Sequence, residues 1–203
     1  MIGTYAELTT AINSYQVKTY TATQTDDFIQ QAEAVINRHL GSQYRRSGAA
    51  TITTDSTGVA SLPTGFVMLR SIVRNVAGSK PLTQVPWDAL ILMDPYAVSS
   101  DATHYAIYGS TIKVAPVTAD GFLAIYDSAV PALNSTTTTN WLLTLAPDIY
   151  LTMCQSQAER FELNPQAAAE HRANGLAELD SLVAQGNVAQ YGNVEMALDM
   201  VTP

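Results

Sequence analysis

The sequence predicts an α+β fold: a bundle of N- and C-terminal helices with a β-rich insertion between the two helical halves. Three observations predict it. Capped amphipathic stretches fill residues 1–48, and the apolar period shortens to alternation over 49–139. Helical spacing then returns over 140–187, ahead of an arm, 188–203, with no clean period.

The first helix is announced by Thr4-Tyr5-Ala6-Glu7, a capping box in which the Thr4 hydroxyl serves the Glu7 amide and Glu7 reaches back. Tyr5, Leu8, Ile12 and Tyr15 then share one face. A second helix is expected to start at Thr25, with Asp26 and Asp27 in the first turn, where the helix dipole favours negative charge. Phe28, Ala32, Val35, Ile36 and Leu40 make its apolar stripe, and Gly41 is a natural stop. Thr51 to Leu62 reads as two short strands around Asp55-Ser56-Thr57-Gly58, and Phe66 to Val76 as another. Pro86 in a first-turn position opens a short helix to Met93.

His104 to Ala115 is a hairpin turning at Gly109-Ser110, with Tyr105, Ile107, Ile112 and Val114 on one face. Asp120-Gly121 turns the chain into a strand over Phe122 to Tyr126. The run Ser135 to Thr139 reads as a linker. Asn140 caps a turn through Trp141-Leu142-Leu143, and Pro147 with Asp148 opens a helix carrying Tyr150, Cys154, Ala158 and Phe161 on one face. Asn164-Pro165 starts a final helix with Leu176, Leu179 and Val183 buried, which Gly186-Asn187 is expected to end.

Composition narrows the function. The 203 residues are 47% hydrophobic, enough for a core, but only 14% charged against an ordinary value of about 25%. A net charge of −8 gains little from counterion release, which argues against general affinity for duplex DNA. The single cysteine, Cys154, excludes a disulfide framework. Met1 to Tyr5 has no basic start and no apolar run, so no export segment is expected, and no stretch reads as a membrane span.

Candidate chemistry is sparse. There is no phosphate loop, no dinucleotide fingerprint and no nucleophile elbow. His39, His104 and His171 are scattered; only His171 with Glu162 could share a metal, and that pairing depends on a helix crossing. Cys154 sits on an apolar stripe without a basic neighbour, which makes it an inert buried thiol. Glu159 and Glu162 could form an acid–base pair but read as a solvated face beside Arg160. Arg45-Arg46 reads as a helix-end charge. No residue is assigned a catalytic, cofactor-binding or metal role.

Several segments resemble the adaptor proteins that join phage capsids to tails, the head-to-tail connectors. Asn140-Trp141-Leu142-Leu143 followed by Pro147-Asp148-Ile149-Tyr150-Leu151 is similar to the stretch that opens the penultimate helix there, and Pro131-Ala132-Leu133 to the segment before it. Tyr5, Glu7, Leu8, Ile12 and Tyr15 resemble the opening helix; Asp27-Phe28-Ile29, Ala32-Glu33 and Ile36-Asn37 resemble the second. Leu62-Pro63-Thr64-Gly65-Phe66 looks like the entry into the β region. The likeness spans Thr4 to about Leu182.

The resemblance implies a structural virion protein without enzymatic activity or cofactor. It implies a ring, of twelve copies by the portal's symmetry, set under the portal in the neck between capsid and tail. Its partners would be the portal protein, a tail, tail-terminator or nozzle protein, and its own copies. Genomic DNA would pass through the ring without sequence-specific binding, and assembly would take place in the host cytoplasm. In the 188–203 arm, Tyr191, Met196, Leu198, Met200 and Val201 are the candidate partner-binding residues, since a merely solvating tail needs no such side chains. Folding back of the arm on its own bundle is the alternative. A tail-completion or tail-terminator subunit is the rival within the virion, and a small virion-associated hydrolase the rival outside that class.

Overall fold

The computed structural model describes residues 2–40, 46–93 and 101–191, and of 46–49 and 186–191 the backbone alone. In chain order its elements are α1 (Tyr5–Gln16), α2 (Ala22–His39), β1 (Arg46–Thr53), β2 (Val59–Ser61), β3 (Phe66–Arg74) and β4 (Thr83–Gln84). They continue with α3 (Trp87–Met93), β5 (His104–Tyr108), β6 (Thr111–Ala115), β7 (Gly121–Ser128), α4 (Trp141–Leu145), α5 (Pro147–Phe161) and α6 (Pro165–Tyr191). The class is α+β. Contacts divide the chain into two compact units, one of Met1–Tyr44 with Val130–Pro203 and one of Arg45–Ala129.

In the first unit, α1 starts as its capping box requires: Glu7 N donates to Thr4 Oγ1, and Thr4 N donates to Glu7 Oε2 at 3.1 Å. The second helix starts earlier than Thr25. Thr21 and Gln24 form a second capping box, with Thr21 N donating to Gln24 Oε1 at 2.9 Å, so α2 begins at Ala22. Thr25 is an interior residue whose hydroxyl donates to the Ala22 carbonyl at 2.8 Å. The acidic pair thus sits one turn further in than an N-terminal role requires. Gly41 lies outside the described residues; α2 closes at His39.

Leu8, Ile12, Phe28, Ile29, Ile36, Leu142, Leu143, Ile149, Tyr150 and Met153 form the centre of this unit's core. Val130 and Leu133 are buried in it too. The threonine run after them is tied down: Asn134 Oδ1 accepts from the Thr136 and Thr137 amides at 2.8 Å, and Tyr5 N donates to Thr138 O at 2.7 Å. Gly175 lets α6 come close to α5, since a Cβ there would meet the Met153 side chain at 3.2 Å. The final helix does not end at Gly186-Asn187. It continues to Tyr191, because an interior glycine costs only about 1 kcal/mol against alanine and removes no hydrogen bond from the ladder.

Two helix ends in this unit carry strain. Lys18 N donates to Asn13 O at 3.2 Å and Asn164 N to Glu159 O at 2.9 Å, the six-to-one bonds of Schellman closures. The left-handed position in each is held by Val17 (φ 53°) and Leu163 (φ 60°) where glycine is usual.

The second unit holds two sheets, in strand order β1-β7-β3 and β2-β6-β5-β4. The strands flanking Asp55-Ser56-Thr57-Gly58 enter different sheets: β1 pairs with β7, and β2 with β6. Asp55 Oδ1 folds the turn by accepting from Thr57 N at 2.8 Å and Val59 N at 3.1 Å, which holds its carboxyl below the usual range, the Thr57 hydroxyl contributing most. The expected hairpin forms, with Tyr105 opposite Val114 and Ile107 opposite Ile112. Gly109 supplies its positive φ of 58°. Ile52, Ile72, Phe122 and Ala124 complete the core on the other sheet. Asp127, 1% exposed, is neutralised by Arg70 through a fork of 3.0 and 2.7 Å.

Glycine at position 17 or 163 removes the left-handed penalty of about 1–2 kcal/mol and loses part of that gain through a freer unfolded chain. Val17→Gly and Leu163→Gly are each expected to raise stability by about 0.5–1 kcal/mol, measured as a higher urea midpoint at unchanged slope. A lower midpoint would mean that these side chains are supported within the fold.

Candidate functional site

The side chains singled out for chemistry do not converge. His39 is exposed in the last turn of α2, His104 opens β5 with its Nδ1 2.8 Å from the Thr103 hydroxyl, and His171 lies on α6. Glu159 accepts from Asn164 Nδ2 at 2.9 Å while Glu162 pairs with Lys18, so each carboxylate is engaged separately. Cys154 is fully buried, and burial, followed by the field of Glu33, pushes its thiol far up. Arg46 belongs to β1, and Arg45 lies outside the described residues. No group of three or more metal-ligating side chains occurs among the described residues, and no described helix is long and apolar enough to cross a membrane.

What the fold does bring together is a buried polar joint. Glu33, 5% exposed on the core face of α2, accepts from Leu133 N at 2.8 Å and from the Tyr150 hydroxyl at 3.2 Å through the same oxygen, Oε1. Asn140 uses its side chain three ways: Oδ1 caps α4 by accepting from Leu143 N at 2.8 Å, and Nδ2 donates to Pro131 O at 2.8 Å and to the Tyr150 hydroxyl at 2.7 Å. One turn on from Glu33, Asn37 Oδ1 accepts from Val130 N at 2.9 Å. The Tyr150 hydroxyl therefore receives from Asn140 and gives to Glu33, and burial pushes its pKa far up so that it stays a donor.

These are the residues of Ala32-Glu33, Ile36-Asn37, Pro131-Ala132-Leu133 and Asn140 to Tyr150 whose pattern resembles the head-to-tail adaptors. The sequence reading placed Asn140 at a cap but did not anticipate its two other bonds, nor that Glu33 is buried. A signal for the latter exists: Glu33 falls four residues after Ile29 and four before Asn37, on the stripe that faces the core. Of the candidate partner-binding residues, Tyr191 ends α6, while Met196, Leu198, Met200 and Val201 lie outside the described residues.

Charge is divided unevenly. The helical unit carries twelve Asp and Glu against four Lys and Arg; the β-rich unit carries six against six. The whole net charge of −8 is thus on the helical unit.

The model of the SU10 adaptor protein family matches residues 3–197, nearly the whole chain. The chain belongs to the SU10 adaptor protein family, and is a structural phage protein of the adaptor class. Membership implies a place in the virion and association with other phage head and tail proteins. No curated protein matches the chain.

Glu33 gives this joint a pH signature. Burial pushes its carboxyl above the ordinary 4.5, against the opposing hydrogen bonds from Leu133 and Tyr150. The folded state then holds this proton more tightly than the unfolded chain. Its contribution to stability accordingly falls as pH rises from 4.5 through the raised value. Glu33→Gln keeps an acceptor oxygen and removes the titration. Unfolding free energies between about pH 4 and pH 8 should show the wild type losing ground to the glutamine variant as pH rises. A gap that is constant across the range contradicts the assignment.

Proposed function

We propose that the protein is a head-to-tail adaptor that forms a ring under the portal, links the DNA-filled capsid to the tail and lines part of the DNA exit channel. The observation that carries the reading is the adaptor-family match over residues 3–197. The helical stretches act as one ring body, with the β-rich stretch 49–139 as an insertion that faces a partner, since binding surfaces concentrate on excursions from a rigid scaffold. Twelve copies follow the portal's symmetry. The protein does no chemistry; it presents the tail protein with a new surface. Assembly begins in the host cytoplasm and ends in the neck of the virion.

The charge distribution supports the channel reading. A ring of acidic helical units repels phosphate, so DNA slides past without the brake that lysine contacts would apply. The arm, with Tyr191, Met196, Leu198, Met200 and Val201, docks on the portal, and its methionines suit a groove on another chain. A density map of the intact neck tests the whole reading. Twelve copies between portal and tail, with the 188–203 segment against the portal, is the expected result. A single copy per particle, or a position on the capsid shell, overturns the ring. An arm packed on its own helices overturns the docking.

A further inference from the structure

The two sheets of the β-rich unit end on β1, β3, β2 and β4, and the last three of these margins are poor templates for another strand. β2 is three residues long and β4 two. β3 is bulged between Phe66 and Met68 and between Leu69 and Ser71. Its far end is covered where Leu82 N donates to Ile72 O at 2.9 Å. Short, bulged or covered margins are how sheets avoid joining other chains.

β1 is the exception. Beyond an irregularity between Arg46 and Ala49 it runs in register along β7 as far as Thr53. No strand lies on its other side among the described residues. From Ser47 to Thr54 the sequence has no charge and no proline. The hydrogen-bond alternation shows which groups this margin offers. Thr54 N donates to Asp120 O at 3.0 Å, and Asn75 N, from the β3 side, donates to Gly121 O at 2.9 Å. Bonded and non-bonded positions alternate along an antiparallel pair. Ala50 and Ile52 therefore bond to β7 opposite Ala124 and Phe122, while Ala49, Thr51 and Thr53 turn their N–H and C=O groups away from it. The Thr51 and Thr53 residues are exposed.

We propose that this margin of β1 receives an extended, uncharged segment of the tail protein as an added strand. Donor and acceptor pairs repeating at every second residue are the complement of another polypeptide backbone. The other described margins of a second copy are too short, bulged or covered to supply it, and β1 against β1 is a two-fold contact that a ring does not repeat. Charge narrows the occupant further. A charged strand laid along the neutral stretch 47–54 would lose solvation and meet no opposite charge there. The inference rests on the reading above, in which the β-rich stretch faces a partner, and names the element that meets the tail.

Thr51→Pro tests it in full-length protein assembled into particles. β7 does not use the Thr51 N–H, so proline deletes an outward donor and leaves the ladder intact. The expected result is an unchanged melting temperature, a ring on the portal and particles without tails. Tailed particles would overturn the added strand and leave the ring standing. A stable variant that forms no ring would place the margin against the portal or a sister copy and overturn the assignment to the tail. Should proline lower the melting temperature, hydrogen exchange of the wild type decides. The Thr51 and Thr53 amides are expected to exchange fast in the isolated protein and slowly in the tailed particle. Slow exchange in the isolated protein, or fast exchange in the particle, contradicts the proposal.

Discussion

A carboxylate inside an apolar core costs several kcal/mol unless its lone pairs are filled, and Glu33 is kept there by an amide 100 residues away and a hydroxyl 117 residues away. That constraint organises the helical unit. Leu133 must return to α2 to give its amide, Tyr150 must lie on the inner face of α5, and Asn140 must stand between them. Once these three positions are fixed, the 130–140 segment has no freedom to act as a loose connection. Its threonines follow the path that Asn134 and the Tyr5 amide set for them.

Local rules of sequence were enough wherever a local interaction decides the structure. The Thr4–Glu7 box, the Gly109 hairpin, the Asn140 cap and the Pro147 start each depend on residues within a few positions of one another. The Thr21–Gln24 box obeys the same rule as the first, but the acidic pair at 26 and 27 offered a competing dipole argument for a later start. Hydrogen bonds at a cap outweigh a screened dipole by enough to settle the matter. Gly186 failed as a stop because glycine weakens a helix without blocking it, whereas proline blocks it.

What stayed hidden was long-range. The entry of β1 and β2 into different sheets is decided by β7 and β6, far onward in the chain. The burial of Glu33 is decided by partners at 133 and 150. Spacing marked the face on which Glu33 lies, but a lone glutamate on an apolar stripe has no meaning until its partners are in place. Part of the resemblance to the adaptors, at Glu33, Asn37, Leu133, Asn140 and Tyr150, falls on the residues of this joint. Strain at Val17 and Leu163 has the opposite character: it is purely local, set by helix closures whose left-handed residues carry almost fully exposed side chains. Such sites are where interaction surfaces are expected.

The central claim is that the Glu33 carboxylate holds the 130–140 segment on the helices. Amide hydrogen exchange at Leu133 tests it most directly, with Val114, which donates to Gly58 O in the β-rich unit, as an internal reference. The account predicts slow exchange at Leu133 in the wild type, and fast exchange there in Glu33→Ala while Val114 remains protected. Equal protection of Leu133 in both proteins would contradict it.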